Sequence, residues 1–197
     1  MIILGLTGSI AMGKSTVSRL FTQMKRPVFD ADKVVHQLQA PNGRLLSAIG
    51  QAFPGVIDEK GVNRQKLGAQ LLQKPEGFRR LEAIIHPAVV EELHLFLRKN
   101  RSHPLVIVDI PLLFEAGFTR SVDYIAVVSA PYWIQKRRAL SRPNMTESRF
   151  RGLLARQWPD RKKRQQADFI IENGRNIIAL AAQVRQITGC LVGQGSR

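Results

Sequence analysis

The sequence has very few cysteines and no long apolar run. Cys190 is the single cysteine among 197 residues, so no disulfide can form within the chain, and we expect a reducing compartment such as the cytoplasm. A transmembrane helix needs about 18 consecutive apolar residues, and no run in this sequence comes close to that length. The first residues also lack the basic stretch that opens a signal peptide. These absences argue against a secreted disulfide scaffold and against a membrane span.

Acidic residues are scarce relative to basic ones. The chain has 15 Asp and Glu against 30 Lys and Arg, which gives a formal net charge of +15. Such a charge attracts polyanions, a class that includes nucleic acids, anionic membranes and multiply phosphorylated small molecules. Eleven of the basic residues lie between Lys136 and Arg164, where apolar residues recur at helical spacing. Because the sequence has no zinc-ligand spacing and no aromatic stacking motif, we do not expect nucleic acid to be its partner.

Short apolar runs alternate with amphipathic helical patterns along the chain. A continuous apolar run is typical of a strand that is buried on both faces of a parallel sheet. The alternation therefore predicts a single α/β domain with an open, mostly parallel five-stranded sheet flanked by helices. The predicted strands cover residues 2–6, 28–29, 105–108, 124–128 and 169–171, and the predicted helices cover residues 14–23, 131–141, 146–157 and 176–188.

One long stretch interrupts this alternation. Between Asp32 and Asn100 the sequence predicts no strand, only amphipathic helices, and we interpret it as a helical insertion on the substrate side of the sheet. At the end of the chain, the residues from Gly189 to Arg197 are expected to be frayed. The predicted helices of the insertion are separated by breaks at residues 41–43, 54–55, 61, 75 and 86–87, where proline or glycine occurs.

The segment from Gly8 to Ser15 has the spacing of a phosphate-binding loop, which is glycine, four residues, glycine, lysine and serine. Its glycines permit a tight turn that points successive amide N–H groups into one cavity. The helix that starts at Lys14 adds the positive end of its dipole. We therefore predict a site for ATP and Mg²⁺, in which Lys14 bridges the β- and γ-phosphates and the Ser15 hydroxyl holds the metal. The backbone N–H of Thr16 is expected to reach the α-phosphate.

Three aspartates lie near the ends of predicted strands. Asp109 ends the run that begins at Leu105, at the sheet edge where α/β proteins bind their ligands. It is expected either to hold a Mg²⁺-bound water or to order the following loop. Asp30 and Asp32 follow the second predicted strand and would point to one side if the segment is extended. Asp32 is the candidate general base for a substrate hydroxyl with Asp30 as its helper, and capping of a helix that starts at Lys33 is the other role open to Asp32.

The phosphate loop is the first of several motifs along the chain, which lie at residues 5–16, 30–32, 36, 61–64, 67, 86–87, 111–115, 135–142, 157 and 167–173. In their order and spacing they resemble the bacterial dephospho-CoA kinase family, over nearly the whole chain. The resemblance implies transfer of the γ-phosphate of ATP to the ribose 3′-hydroxyl of dephospho-CoA, the final step of coenzyme A synthesis. It also implies a nucleotide-kinase-like core, a helical CoA-binding subdomain and a mobile lid.

The resemblance implies roles for particular residues. Asp32 matches the family's base for the 3′-hydroxyl, and Arg138 and Arg142 would contact the transferring phosphoryl group, whose charge a guanidinium stabilises. Arg64 and His86 would contact the acceptor, although a histidine before a proline has an equal chance of simply fixing a turn. The core would cover residues 1–31, 101–133 and 167–189, the CoA-binding subdomain residues 32–100, and the basic lid residues 134–166. The nucleotide-binding residues would be Gly8, Ala11, Met12, Gly13, Lys14, Ser15, Thr16 and Asn173, the last against adenine.

Two loop positions depart from the family pattern. Ser9 and Ala11 stand where the family usually has glycine, and if residue 11 has a positive φ, alanine costs about 1 kcal/mol or more. Gly8 and Gly13 are intact, so we expect altered affinity and retained function. Because the phosphate loop does not determine the acceptor, a nucleoside or nucleotide kinase of the same fold is the alternative, and a polynucleotide kinase is less favoured.

Overall fold

The computed structural model describes residues 1–73 and 76–194. Within these ranges the chain forms two compact units, one built from Met1–Asp30 and the chain from Asn100 onward, the other from Ala31–Lys99. No helix in these ranges has both the length and the apolar content that crossing a membrane requires. The strands are β1 (Ile2–Thr7), β2 (Val28–Asp30), β3 (Ile57–Asp58), β4 (Gly61–Val62), β5 (Leu105–Asp109), β6 (Tyr124–Ser129) and β7 (Phe169–Glu172). The helices are α1 (Lys14–Gln23), α2 (Ala31–Leu38), α3 (Leu46–Ala52), α4 (Arg64–Gln73), α5 (Glu76–Lys99), α6 (Tyr132–Leu140), α7 (Glu147–Ala155), α8 (Asp160–Gln165) and α9 (Ile177–Gln194), with a 3₁₀ turn at Phe118–Ser121.

The first unit contains a five-stranded sheet in the order β2-β5-β1-β6-β7, and every pairing in it is parallel. This confirms the predicted α/β fold. Each strand of this sheet ends one residue later than predicted. The prediction followed the apolar run, and the last residue of each strand is polar. The polar residues that end the strands, and so line one edge of the sheet, are Thr7, Asp30, Asp109, Ser129 and Glu172.

The sheet is buried on both faces, as its continuous apolar runs predict. Leu4 and Ile107 are fully buried in β1 and β5, and Val128 is fully buried in β6. Helices α1 and α9 contribute Phe21 and Val184 to the same core. This packing fixes the position of β1 and therefore of the segment that follows it.

The register of the strands brings two aspartates and the end of β1 together. Asp30 in β2 pairs with Asp109 in β5, and Asp109 also pairs with Leu6 in β1. Because β1 lies between β5 and β6, the loop that leaves Thr7 starts at the middle of the sheet's carboxyl edge. This is the edge at which open α/β sheets bind their ligands.

The second unit contains a short hairpin that the sequence did not predict. Strands β3 and β4 pair antiparallel, so the expectation of helices alone between Asp32 and Asn100 is wrong. The turn is held by the Lys60 N–H, which donates to the Asp58 carboxylate at 2.9 Å, and by Gly61 with a φ of 92°. Each strand has two residues, which is too short for an alternating or continuous apolar pattern to be recognised.

Helix α5 runs from Glu76 to Lys99 with Pro87 inside it, so the predicted break at residues 86–87 is wrong. A proline within a helix removes one backbone hydrogen bond. Ala88, Val89 and Leu93 are buried on this helix, and their burial offsets that loss. His86 therefore lies within a helix, and the interpretation that it fixes a turn is also wrong. The break predicted at Pro75 lies outside the described residues.

Helix α9 extends to Gln194, although the sequence predicted an end at residue 188 and frayed residues from Gly189. Leu191 is fully buried and Val192 packs against the core of the first unit. The apolar face of the helix therefore continues past the glycine, and burial maintains the helix there. Residues 195–197 lie outside the described ranges.

Candidate active site

The loop between β1 and α1 has the backbone geometry that its two motif glycines predict. Gly13 precedes α1 with a φ of 91°, in the left-handed region that favours glycine. A Cβ at Gly8 would lie 2.7 Å from the backbone carbonyl oxygen of Val128, a distance that leaves no room for a side chain. Within the loop, the Met12 N–H donates to the Ser9 carbonyl at 3.1 Å and closes a tight turn.

Ala11 has a φ of 61°, so the alanine at this position adopts the left-handed conformation that glycine adopts without cost. Its methyl group is buried and packs in a small cluster with Ala139 and Phe150. Burying one methyl group contributes about 0.8 kcal/mol, which offsets part of the left-handed cost of about 1–2 kcal/mol. The departure from glycine at this position is therefore tolerated because helices α6 and α7 cover it.

Replacing Ala11 by glycine is expected to change the free energy of unfolding by less than about 0.5 kcal/mol. The gain from relieving the left-handed conformation nearly equals the loss of the buried methyl group and the added freedom of the unfolded chain. The same change at Ala182, an exposed position within α9, is expected to cost about 1 kcal/mol. Urea denaturation of both variants measures the difference, and an equal loss at the two positions would contradict a strained Ala11.

Lys14 begins α1 and its ammonium group forms a hydrogen-bonded ion pair with Asp109. Asp109 is 3% exposed, so its carboxylate lies in a poorly solvated position. Burial raises the pKa of Asp109, Lys14 acts in the opposite direction, and the like charge of Asp30 adds to the increase. Asp109 thus has an additional role that the sequence did not indicate, which is to hold the loop lysine at the edge of the sheet.

A cavity of about 270 Å³ lies beside the loop and is strongly basic. The structure places three of the residues singled out in the sequence, Arg138, Arg142 and Asn173, in its wall together with loop residues. Arg175 also lines the cavity, although it was not predicted from the sequence. Its position two residues after Asn173 could have indicated that role. The residues that line the cavity are Ala11, Gly13, Thr16, Arg138, Arg142, Asn173, Arg175, Ile177 and Leu180.

Hydrogen bonds fix the wall of this cavity to the loop. The Asn173 side-chain amide donates to the Met12 carbonyl at 2.8 Å, and Arg138 Nη1 donates to the Asn173 carbonyl at 3.0 Å. Asn173 is buried, and its amide nitrogen holds the loop in this structure. The Thr16 N–H donates to the Gly13 carbonyl at 3.0 Å, so a phosphate contact from Thr16 would have to share or replace that bond. Three guanidinium groups and the start of a helix converge here, an arrangement suited to a polyanion.

The basic segment between residues 134 and 166 is not wholly solvated. Lys163 is fully buried, and its ammonium nitrogen lies 2.9 Å from Glu115 in an ion pair that lacks hydrogen-bond alignment. The same Glu115 oxygen accepts a hydrogen bond from the backbone N–H of Trp158 at 2.7 Å, and the Trp158 ring stacks on Phe114. The residues around Trp158 are thereby attached to the loop that follows β5. The sequence missed helix α8 and this pair, because a run of four basic residues resembles an exposed surface.

Three predicted site residues, Asp32, Arg64 and His86, belong to the second unit. Helix α2 begins at Ala31, so Asp32 lies in its first turn. The alternative role for Asp32, the cap of a helix that starts at Lys33, is therefore wrong, and the condition of an extended segment through both aspartates is not met. Arg64 begins α4 and its guanidinium lies 2.8 Å from Nδ1 of His36. A guanidinium only donates, so Nδ1 is the acceptor side of this contact.

The side chains near the loop suit a magnesium ion that would be held mainly by phosphate oxygens. Among residues 1–73 and 76–194 no group of three or more histidine, cysteine or acidic side chains could hold a metal ion. Magnesium in nucleotide sites keeps several waters and takes one or two protein ligands besides the phosphates. Ser15 is exposed in the first turn of α1, which fits a single hydroxyl ligand. Asp109 is already bonded to Lys14, so its fit to the metal is through a bound water.

The parallel sheet, the glycine-lysine-serine loop after its central strand and the basic cavity beside it define a P-loop phosphotransferase. A crystal structure from Thermus thermophilus superposes with a TM-score of 0.86 at 28% identity and covers 96% of both chains. A shikimate kinase from Acinetobacter baumannii shares the fold alone, with a TM-score of 0.51 and 17% identity over 98% of this chain and 94% of the other.

Sequence comparison is more specific. The dephospho-CoA kinase family model matches residues 2–178. The chain is 99% identical to a curated dephospho-CoA kinase from Zymomonas mobilis over the full length of both, and 48% identical to one from Novosphingobium aromaticivorans over 94% of this chain and 92% of the relative. The chain belongs to the dephospho-CoA kinase family. It is an ATP-dependent phosphotransferase that acts on a hydroxyl group of dephospho-CoA.

Proposed function

We propose that the chain transfers the γ-phosphoryl group of ATP to the ribose 3′-hydroxyl of dephospho-CoA and so completes coenzyme A. The observation that carries the proposal is the basic cavity beside the loop, where Gly13, Arg138 and Arg142 meet. Phosphoryl transfer depends on positioning and on neutralising the charge of the phosphates. A loop of backbone amides with guanidinium groups beside it supplies both.

On the nucleotide side, we propose that Lys14 neutralises the β- and γ-phosphates while Asp109 holds its side chain. The ion pair between them sets the direction of the lysine before nucleotide binds. Arg138 and Arg142 are assigned to the transferring phosphoryl group, where charge grows in the transition state. When bound, Mg²⁺ neutralises phosphate oxygens, and Ser15 and Asp109 are the residues that would hold it, the latter through water.

On the acceptor side, we propose that Asp32 accepts the proton of the 3′-hydroxyl and that Asp30 supports it. Arg64 and His86 are assigned to the acceptor, whose diphosphate is a natural partner for a guanidinium. The bond from Arg64 to His36 orients that guanidinium and supports this assignment. We further propose that residues 32–100 form the acceptor subdomain and that residues 134–166 form a lid over the nucleotide. The single cysteine supports a reducing compartment, and we propose the cytoplasm.

The proposal is tested by measuring ADP release with dephospho-CoA, adenosine, AMP or shikimate as acceptor. We expect release to depend on dephospho-CoA and its product to carry a new phosphate on the 3′-oxygen, located by phosphorus–proton NMR correlation. Dephospho-CoA without its 3′-hydroxyl is the matched control and is expected to give no product. Comparable turnover of AMP or adenosine would replace the proposal by the nucleotide or nucleoside kinase alternative.

A further inference from the structure

The backbone N–H and C=O of Ile10, in the phosphate loop, are hydrogen-bonded by two glutamine side chains from outside the loop. Gln135 Nε2 donates to the Ile10 carbonyl at 2.8 Å, and the Ile10 N–H donates to Gln157 Oε1 at 2.9 Å. Gln135 is 3% exposed, so its bond is shielded from water. A side-chain primary amide carries both a donor and an acceptor without charge, and here one amide bonds the C=O of Ile10 and the other bonds its N–H.

The two glutamines stand at the two ends of the segment that carries the cavity arginines. Gln135 lies in α6, and Gln157 follows the end of α7 and donates its own N–H to the Leu154 carbonyl at 3.0 Å. Arg138 and Arg142 lie between them in the chain. The backbone of one loop residue therefore anchors both ends of this segment.

The two hydrogen bonds from Gln135 and Gln157 to the Ile10 backbone, here called the glutamine clamp, affect the conformation of the residues that follow Ile10. Ala11 follows Ile10 directly and has a left-handed conformation that is unfavourable for alanine. The two hydrogen bonds on Ile10 help to offset this strain. Ala11 and Gly13 line the basic cavity, whereas the N–H of Ile10 is already used by Gln157. The N–H of Ile10 thus anchors the loop, and the backbone amides of Ala11 and Gly13 are left to bind an anion.

We infer that Gln135 and Gln157 are positioning residues for phosphate binding. They hold the Ile10 backbone so that Ala11 and Gly13 line the cavity, and they tie this geometry to the segment that carries Arg138 and Arg142. The inference rests on the nucleotide role proposed above. Neither glutamine touches the cavity, so they act through the loop.

The test compares Gln157→Met and Gln135→Met with Gln166→Met, the same change at an exposed side chain after α8. Calorimetry with ADP and with inorganic tripolyphosphate measures the phosphate site directly. We expect each clamp variant to weaken both ligands about three- to tenfold, which is the effect of losing about 1 kcal/mol of preorganisation. In steady-state kinetics, KM for ATP is expected to rise by the same factor, while KM for dephospho-CoA stays within about twofold and Gln166→Met matches the parent.

A merely structural role predicts a lower melting temperature with unchanged affinities. Folded Gln157→Met or Gln135→Met protein that binds ADP and tripolyphosphate as tightly as the parent overturns the inference, and either variant suffices if the other does not fold. Equal weakening by Gln166→Met overturns it as well. Failure of the parent itself to bind ADP would instead contradict the proposed function.

Discussion

Replacing Asp32 by asparagine is expected to lower kcat roughly 10²- to 10⁴-fold, the usual contribution of a general base. Asparagine has nearly the same shape as aspartate but cannot accept the proton of the 3′-hydroxyl. Affinity for ATP should change by less than about twofold, because the assigned nucleotide contacts lie in the other unit. Single-turnover formation of the phosphorylated product measures the chemical step, and calorimetry measures ATP binding.

Asp30→Asn is the matched control for that experiment. Asp30 ends β2 and pairs in register with Asp109, so it belongs to the edge of the sheet and not to α2. We expect a loss of kcat below about tenfold from this variant. If Asp30→Asn caused the large loss and Asp32→Asn the small one, the proton acceptor would be Asp30. Full activity in both variants would remove the base assignment altogether.

Lys14→Met is expected to abolish measurable transfer and also to destabilise the protein before any ligand is added. Removing one transition-state cation typically costs 10²- to 10³-fold in rate or more. The stability effect arises because Asp109, which is 3% exposed, loses the partner of its buried charge. Breaking a buried ion pair from one side costs about 3 kcal/mol or more. Denaturant unfolding of the ligand-free protein measures this loss.

The double variant Lys14→Met/Asp109→Asn separates the two effects. It has no buried charge to compensate, so we expect it to recover most of the stability while remaining inactive. The pH dependence of the single variant gives a second check. Since burial raises the pKa of Asp109, the folded protein takes up its proton more readily than the unfolded chain, and stability falls as pH rises through that window. The deficit of Lys14→Met should therefore shrink as pH is lowered toward the raised pKa, and a pH-independent deficit would contradict the explanation.

The parts of the fold that the sequence predicted well are those with strong local patterns. Strands such as β1 and β5 are buried on both faces, so their apolar runs are unmistakable. The phosphate loop was equally clear, because Gly8 and Gly13 satisfy steric conditions that few other residues meet. In both cases the physical requirement falls on consecutive residues and is visible in their order.

The parts that the sequence could not predict depend on distant partners. Pro87 lies within α5, and Gly189 lies within α9, because burial of neighbouring apolar residues outweighs the local preference of proline and glycine. Lys163 resembles a surface lysine in the sequence, because its partner Glu115 lies far away along the chain. The glutamine clamp on Ile10 also depends on distant partners, since the position of a glutamine in the sequence does not indicate which backbone group its side chain will bond.

The order of the strands has a further consequence for synthesis of the chain. Ile2 in β1 pairs with Leu105 in β5, so the first strand made must wait for the whole of the second unit to leave the ribosome before its sheet partner exists. Until then the apolar side chains of β1 are exposed, and the late pairing of β1 closes a long stretch of chain at an entropic cost. The nascent chain therefore passes through an aggregation-prone interval, and the phosphate loop is shaped only when translation has passed β5.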